Sequence, residues 1–404
     1  MAWRLSVDYP HAGLRSGGRR GSCGVYLGGR GGRPASGGVT VSSVYPIIFE
    51  PIFKPRIWGG RRLSTLLNKH LPENQTIGES WEVVDLEDEQ SVVAQGPGRG
   101  KTLRELVERW GVDLLGGAGL FDARFPLLIK FLDAREALSV QVHPDEAAAQ
   151  RWGGRVRVKH EAWYVIDASP DAVIYRGLRE GVDAVALRKA VEEDQIESVL
   201  NRIPARRGHC YYLPSGTVHA LGGGVTVAEV QTPSDVTYRL YDWKRIDPAT
   251  GRPRELQIEE ALACVSYGPS SGEETPQHSA SVWASVTSLT RCASFVIERV
   301  RVVDGVEMAI PHAEMVIWIV LEGRGTIACD GLTEPLSFGV GDAVVIPAGL
   351  KKGRVATQAN SMWLEVSVPI ASSLAGFDRP DPSSLRDPGG GYVSIQLPDR
   401  PAGS

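Results

Sequence analysis

One turn grammar occurs twice in this chain, and it constrains the fold more than any other feature. In Gly208-His-Cys-Tyr-Tyr-Leu-Pro214-Ser-Gly216-Thr-Val-His219, a glycine opens a short strand and a Pro-x-Gly turn ends it. A histidine follows three residues after the second glycine. In Gly341-Asp-Ala-Val-Val-Ile-Pro347-Ala-Gly349-Leu-Lys-Lys352 the glycine, proline and glycine recur at the same spacing, with a lysine where the histidine stood. Around both copies the sequence breaks into many short apolar segments separated by turn residues. That pattern predicts a mainly β chain built as double-sheet jelly rolls, one per copy.

Only the first copy carries candidate metal ligands. Gln141 and His143 are two apart on an expected strand, so their side chains share a face. Lys159 and Glu161 share a face of the next strand by the same argument, and His219 starts a strand distant in sequence. Taken singly, each has an ordinary structural reading. Gathered inside one barrel, an amide oxygen, two imidazoles and a carboxylate read as a metal site of mixed nitrogen and oxygen donors. Zn²⁺ suits it, with positions left for water or substrate oxygens; Fe²⁺ and Mn²⁺ suit the same donors. With a divalent ion the site would carry about +1 charge. His160 must point to the opposite face from Glu161, and His209 lies within the strand opener, so both are weak candidates. The expected architecture is therefore a bicupin, two jelly-roll barrels of which one is metal-competent and one structural.

The rest of the chain fits around these barrels. Its 404 residues leave room for two or three domains. A formal charge of −4 gives no reason to expect nucleic acid or a membrane surface as partner. Five scattered cysteines without a C-x-x-C pair indicate a reducing, cytoplasmic setting rather than a disulfide framework. Met315 to Leu321, the longest plain apolar run, is too short to span a bilayer and reads as a buried strand. Residues 1–43, rich in Gly, Arg and Ser, read as a disordered extension. Residues 44–270 read as the metal-binding domain. Within them a strand is expected from Pro46 to Phe53, a turn at Trp58 to Gly60, a helix from Lys101 to Trp110, and a short helix begun by Pro144. Residues 182–201 read as a two-helix insertion. A linker is expected over 271–281, a second barrel over 282–368, and a Pro- and Gly-rich tail over 369–404.

Four segments carry a resemblance. Leu138-Ser-Val-Gln-Val-His-Pro-Asp145, Lys159-His-Glu161-Ala-Trp-Tyr, Leu213-Pro-Ser-Gly-Thr-Val-His219-Ala and Ser234-Asp-Val-Thr-Tyr-Arg239-Leu-Tyr-Asp-Trp243 resemble the class I mannose-6-phosphate isomerases in their compact bacterial form. The likeness covers roughly residues 45–368. It implies a zinc enzyme, one ion per chain, that interconverts D-mannose 6-phosphate and D-fructose 6-phosphate through a cis-enediol. It also implies a small phosphosugar substrate and a monomer or homodimer. The family's metal ligands fall on Gln141, His143, Glu161 and His219, with Gln141 the least secure. Its active-site arginine falls on Arg239, with Asp235 just before it, and its lysines on Lys130 and Lys159. Lys130, Lys159, Arg239 and Trp58 are the expected substrate contacts, and Arg239, Asp235 and Lys159 the catalytic set. His160 stands where the family commonly has a small residue or proline.

Isomerisation of this kind needs a cation or Lewis acid to hold the developing oxyanion, for which Arg239 and the metal are the candidates. The proton carrier stays open between Asp235, Glu161 and a metal-bound water. A sugar-phosphate-binding cupin without activity would have no need of all these residues. An iron-dependent cupin dioxygenase would usually show His-x-His, where this chain has Gln141-x-His143.

Overall fold

The computed structural model describes residues 43–120, 124–152, 157–268, 277–311 and 313–369. The expected extension and tail, and most of the linker, lie outside the described residues. Within them the chain is mainly β, with four larger sheets and a two-stranded ribbon, Ile246–Asp247 with Arg252–Pro253. A five-stranded sheet runs in the order Tyr238–Tyr241, Val140–Val142, His219–Leu221, Val173–Leu178, Leu200–Pro204. A six-stranded sheet faces it, in the order Ile52–Gly60, Ile77–Val83, Leu128–Ala134, Val225–Gln231, Glu161–Ala168, Cys210–Leu213. Leu132, Trp163, Val165 and Val227 from one sheet pack with Ile174 and Leu221 from the other to close this first barrel.

Its six-stranded sheet has no wet face. The alternate residues Ile129, Phe131, Ala162, Tyr164, Ala228 and Val230 pack against Ile297, Ile317, Ile319, Leu364 and Val366 of a seven-stranded sheet in the second block. That sheet runs Ile47–Ile48, Ala343–Ile346, Val316–Glu322, Ser361–Ser367, Val296–Val302, Ala284–Arg291, Gln277–Ala280. A four-stranded sheet covers its far side. Burial on both faces explains why Val225–Gln231 is buried throughout and reads without apolar–polar alternation. On the outer face of the five-stranded sheet, helices Glu146–Arg151, Ala184–Glu192 and Ile258–Cys264 cover Val140, Val142 and Leu240.

The second block repeats the first in strand order and in pairing. Trp163 lies opposite Glu229 and donates its indole N–H to that carboxylate at 3.3 Å. Trp318 lies opposite Glu365 and does the same at 3.1 Å. In this register Glu161, opposite Gln231 and Leu213, corresponds to Val316, opposite Ser367 and Ile346. The second interior is filled by stacked Trp318 and Trp363 rings, 4.7 Å apart, with Phe338 edge-on to Trp318. Lys352, the counterpart of His219, is exposed and pairs with Asp330 at 3.2 Å.

Several local expectations change. The single strand expected from Pro46 to Phe53 is two, because Pro51 interrupts the pairing and Ile47–Ile48 joins the second block's sheet. Trp58 to Gly60 continues a strand to its end instead of turning. The helix after Pro144 starts at Glu146, with the Asp145 carboxylate accepting from Ala148 N at 2.8 Å as its cap. The insertion has one α-helix, Ala184–Glu192, and a 3-10 turn, Ile196–Ser198. Strand pairing with Val173–Leu178 claims the chain from Leu200. Gln277–Ala280, expected as linker, forms the outer strand of the second sheet.

The repeated turns require glycine at specific positions. Gly208, Gly216 and Gly341 all have φ between 82° and 94°, where a side chain is strained. At Gly341 an added Cβ would also sit 2.0 Å from the Leu67 carbonyl oxygen, across the junction of the two blocks. Gly341→Ala should therefore destabilise the protein by about 2–3 kcal/mol, read as a lowered denaturant midpoint. Gly251→Ala, also at positive φ but with no atom within 4 Å, should cost less.

Candidate metal centre

Strand register builds the site. Across the five-stranded sheet, Arg239 lies opposite Gln141, Gln141 opposite His219, and His219 opposite Arg176. On the facing sheet Lys130 lies opposite Glu229, and Glu161 opposite Gln231. His143 follows the Val140–Val142 strand directly, and Lys159 precedes the strand that Glu161 begins. Polar residues thus take inward positions, and at that of Glu161 the second barrel has Val316.

Three of these side chains converge. One donor atom each of His143, Glu161 and His219 lies within 4.8 Å of the other two, and all three residues are buried. His143 Nε2 is 3.3 Å from Glu161 Oε2, and His219 Nε2 is 3.0 Å from Glu161 Oε1. The other ring nitrogens are already committed. His143 Nδ1 donates to the Val236 carbonyl at 2.9 Å, and His219 Nδ1 to the Thr217 carbonyl at 2.8 Å. Each Nε2 of a neutral ring then turns its lone pair toward the carboxylate, with no proton between the two acceptors. His143 Nε2 is buried without a hydrogen-bond partner, and the Glu161 oxygens face the two imidazoles and the Lys159 ammonium. Two imidazole nitrogens and a carboxylate facing one another are a donor set that could hold a metal ion, and backbone carbonyls fixing the tautomer are the usual support for ligating histidines. Burial and the neighbouring Lys159 push His143 down to about 3, so the ring stays neutral at any ordinary pH.

Gln141, expected as a fourth ligand, places its carboxamide nitrogen 3.3 Å from His219 Nε2. Turning the amide end for end presents its oxygen at the same place.

Around the socket lies a shell of buried charge. Lys159 Nζ is 2.8 Å from Glu161 Oε2. Burial alone would raise Glu161, but the Lys159 ammonium holds it well below the ordinary carboxylate range. Lys130 Nζ stands 3.4 Å from Asp235, 3.7 Å from Glu229 and 4.0 Å from Glu79, over the Trp81 ring at 4.6 Å. Burial works against its charge, yet Glu229, Glu79 and Asp235 together raise it above the usual lysine value, so it is a fixed cation. Glu79 accepts from Arg56 at 2.6 Å and from Trp81 at 2.7 Å. Burial opposes its ionisation, but Lys130 and Arg56 hold it down at about 2. Glu229 is raised, first by burial and then by the Glu161 carboxylate.

Asp235 is half exposed at the rim of this cluster. Arg239 reaches outward from its row, and Nη1 donates to the Glu255 carbonyl at 2.8 Å. With Arg252, Arg254 and Thr250 it lines a surface groove. Trp58 is 3% exposed and packs in the apolar cluster of Trp163, whose ring meets His219 edge-on at 5.3 Å. His160 points away from the socket, with Nδ1 accepting from the Ser215 N–H at 3.2 Å, as strand parity requires. His209 stacks on Tyr211. Sequence reasoning missed Glu79, Arg56, Glu229 and Gln231. For the last pair a signal was present, since two polar residues two apart inside an apolar strand are the pattern that marked Gln141 and His143.

Comparison with known proteins adds to this geometry. The phosphomannose isomerase type I catalytic-domain family matches residues 47–170. The mannose-6-phosphate isomerase ManA of Bacillus subtilis (strain 168) is 35% identical over 305 residues, 76% of this chain and 94% of the relative. The mannose-6-phosphate isomerase of Streptococcus mutans serotype c is 34% identical over 311 residues, covering 76% and 93%. The crystal structure of the mannose 6-phosphate isomerase from Bacillus subtilis superposes with a TM-score of 0.72 at 31% identity, covering 80% of this chain and 99% of the other.

Removing ligands one at a time separates the donors. His219→Ala should abolish retained metal, measured by elemental analysis after dialysis, because two of the remaining donors then face open space. Gln141→Ala should keep metal at reduced affinity, by about 10- to 100-fold. Equal retention in both variants would remove His219 from the ligand set.

Proposed function

Because the chain belongs to the mannose-6-phosphate isomerase family, and is therefore an aldose–ketose isomerase, we propose that His143, Glu161 and His219, with Gln141, hold one Zn²⁺ ion at which D-mannose 6-phosphate and D-fructose 6-phosphate are interconverted. The observation that carries this reading is the pair of imidazole Nε2 atoms facing the Glu161 carboxylate in a buried socket, that of His143 without a hydrogen-bond partner. Zinc bound there would supply Lewis acidity toward the substrate oxygens at C1 and C2.

The chain's own residues divide the remaining work. Glu161 faces both imidazoles and Lys159 at once, so its lone pairs are committed and it is a poor base. Glu79 is tied to Arg56 and Trp81. Asp235 stands half exposed at the rim, 3.4 Å from Lys130, and we assign it the transfer of the proton between C2 and C1. Lys130, Lys159 and Arg239 offer fixed positive charge to the enediolate oxygens and the phosphate. Such charge is most effective where it is held in place before the reaction begins. Trp58 supports the His219 side through Trp163 and contributes shape to the substrate's surroundings. The substrate is a small phosphosugar. The cysteines at 210, 264, 292 and 329 are all free thiols, in keeping with a cytoplasmic setting, and a monomer or homodimer is the assembly we propose.

A coupled assay for fructose 6-phosphate formation tests this directly. Activity should vanish on chelation and return with Zn²⁺ more fully than with Fe²⁺ or Mn²⁺. Turnover that survives complete metal removal would sink the metal reading. Arg239→Ala should lower kcat by about 100-fold or more while metal content stays whole. Oxygen uptake in place of isomerisation would favour the dioxygenase alternative.

A further inference from the structure

Outside the metal cluster, Asp242 is a carboxylate held by two arginines. It is 6% exposed. Oδ2 accepts from Arg254 Nε at 2.7 Å, and Oδ1 accepts from Nη2 of both Arg254 and Arg245. Arg245 Nη1 also donates to the Ala137 carbonyl at 2.5 Å, and Trp243 Nε1 to the Leu138 carbonyl at 2.6 Å. Trp243 and Lys244 sit at φ of 55° and 54°, a conformation that bulky side chains adopt only when their surroundings hold them there. Residues 137 and 138 lead straight into the strand of Gln141. One side of Asp242 is thus fastened to the approach to a metal ligand.

The other side leads to Arg239. Directly after Arg254, the Glu255 carbonyl accepts Nη1 of Arg239 at 2.8 Å. Two residues further, Gln257 N–H donates to the Arg239 carbonyl at 2.9 Å, and Gln257 Oε1 accepts from Arg239 N–H at 3.2 Å. The segment 255–257 therefore grips Arg239 at its amide, its carbonyl and its guanidinium. Arg239 Nε is buried without a partner, so the guanidinium keeps donor capacity for an incoming oxygen.

We infer that Asp242 is a positioning residue: through Arg254 and the Glu255 carbonyl it sets where the Arg239 guanidinium stands relative to Gln141. The inference rests on the reading of Arg239 as the cation of the isomerisation. A displacement of about 1 Å in such a group costs on the order of 100-fold in rate, and a bidentate arginine–carboxylate pair is the kind of joint that holds position to that tolerance.

A double-mutant cycle tests it. Asp242→Asn in the otherwise native, metal-loaded enzyme should lower kcat about 10- to 100-fold, with KM for mannose 6-phosphate and metal content changed less than about twofold. In the Arg239→Ala background the same substitution should cost less than about twofold, because there is no guanidinium left to place. Equal losses in both backgrounds would overturn the inference, since a purely structural residue acts regardless of Arg239. Should Asp242→Asn fail to fold, Arg254→Lys keeps the charge but loses the bidentate fork and runs the same cycle with the same expectation. Arg239→Ala with undiminished kcat would sink the reading of Arg239, and this inference with it. A collapse in Arg239→Ala beside an unchanged Asp242→Asn would sink the inference alone.

Discussion

The six-stranded sheet is the constraint on which everything else depends. Its strands Leu128–Ala134, Glu161–Ala168 and Val225–Gln231 are covered on both sides. One face is apolar and joins the second block. The other turns Lys130, Glu161, Glu229 and Gln231 into the first barrel. A slip of one residue in any of these strands would exchange the two faces, putting charges in the junction and phenylalanine in the socket. The tight seam between the blocks therefore fixes the position of the candidate metal ligands. The fold of the second barrel is part of the site's geometry although it contributes no ligand.

The repeat makes clear what was added to a common frame to make a site. Both barrels keep a tryptophan that donates to a glutamate on the neighbouring strand, and both keep the Gly-x5-Pro-x-Gly turn. They differ at the places that matter for chemistry. Glu161 corresponds to Val316, His219 to an exposed Lys352, and Lys130 to Glu298 by the same strand register. The second interior closes on stacked tryptophans. An apolar barrel of this kind needs no cation, and a polar one is stable only if its charges are matched. The Trp–Glu pair belongs to the frame, whereas the Glu161 socket belongs to one copy.

The candidate ligands were more legible in the sequence than their surroundings, for a physical reason. Gln141, His143, Glu161 and His219 stand in turn and strand patterns that are local, so parity and spacing are enough to place them on one face. Glu79 and Arg56 act through pairings between strands that a single sequence does not specify. Their partner Lys130 comes from a third strand, and nothing local marks the three as one cluster. Pairing likewise decided the fate of Ile47–Ile48, which sits beside the first barrel's residues in sequence but completes the second barrel's sheet. The Trp58 turn was misread because Gly-Gly is a turn signal. Here Gly59 and Gly60 instead allow close approach, since a Cβ on Gly59 would lie 2.4 Å from Gly78 N and one on Gly60 2.4 Å from Asp133 Oδ2.

Charge balance links the socket to its substrate. Lys130, Lys159 and Arg56 face Glu79, Glu161 and Glu229 within one buried region. Three carboxylates could neutralise three cations, but burial and its neighbour Glu161 push Glu229 toward its protonated form. Asp235, at the rim beside Lys130, restores the balance, so a bound divalent ion would leave the region with excess positive charge. A neutral ligand would not relieve that excess, and a dianionic phosphate ester brought to the rim would. The lysines need not touch the reacting carbons to matter. By keeping the interior cationic they favour both an anionic substrate and the negative charge that builds on its oxygens as the proton moves.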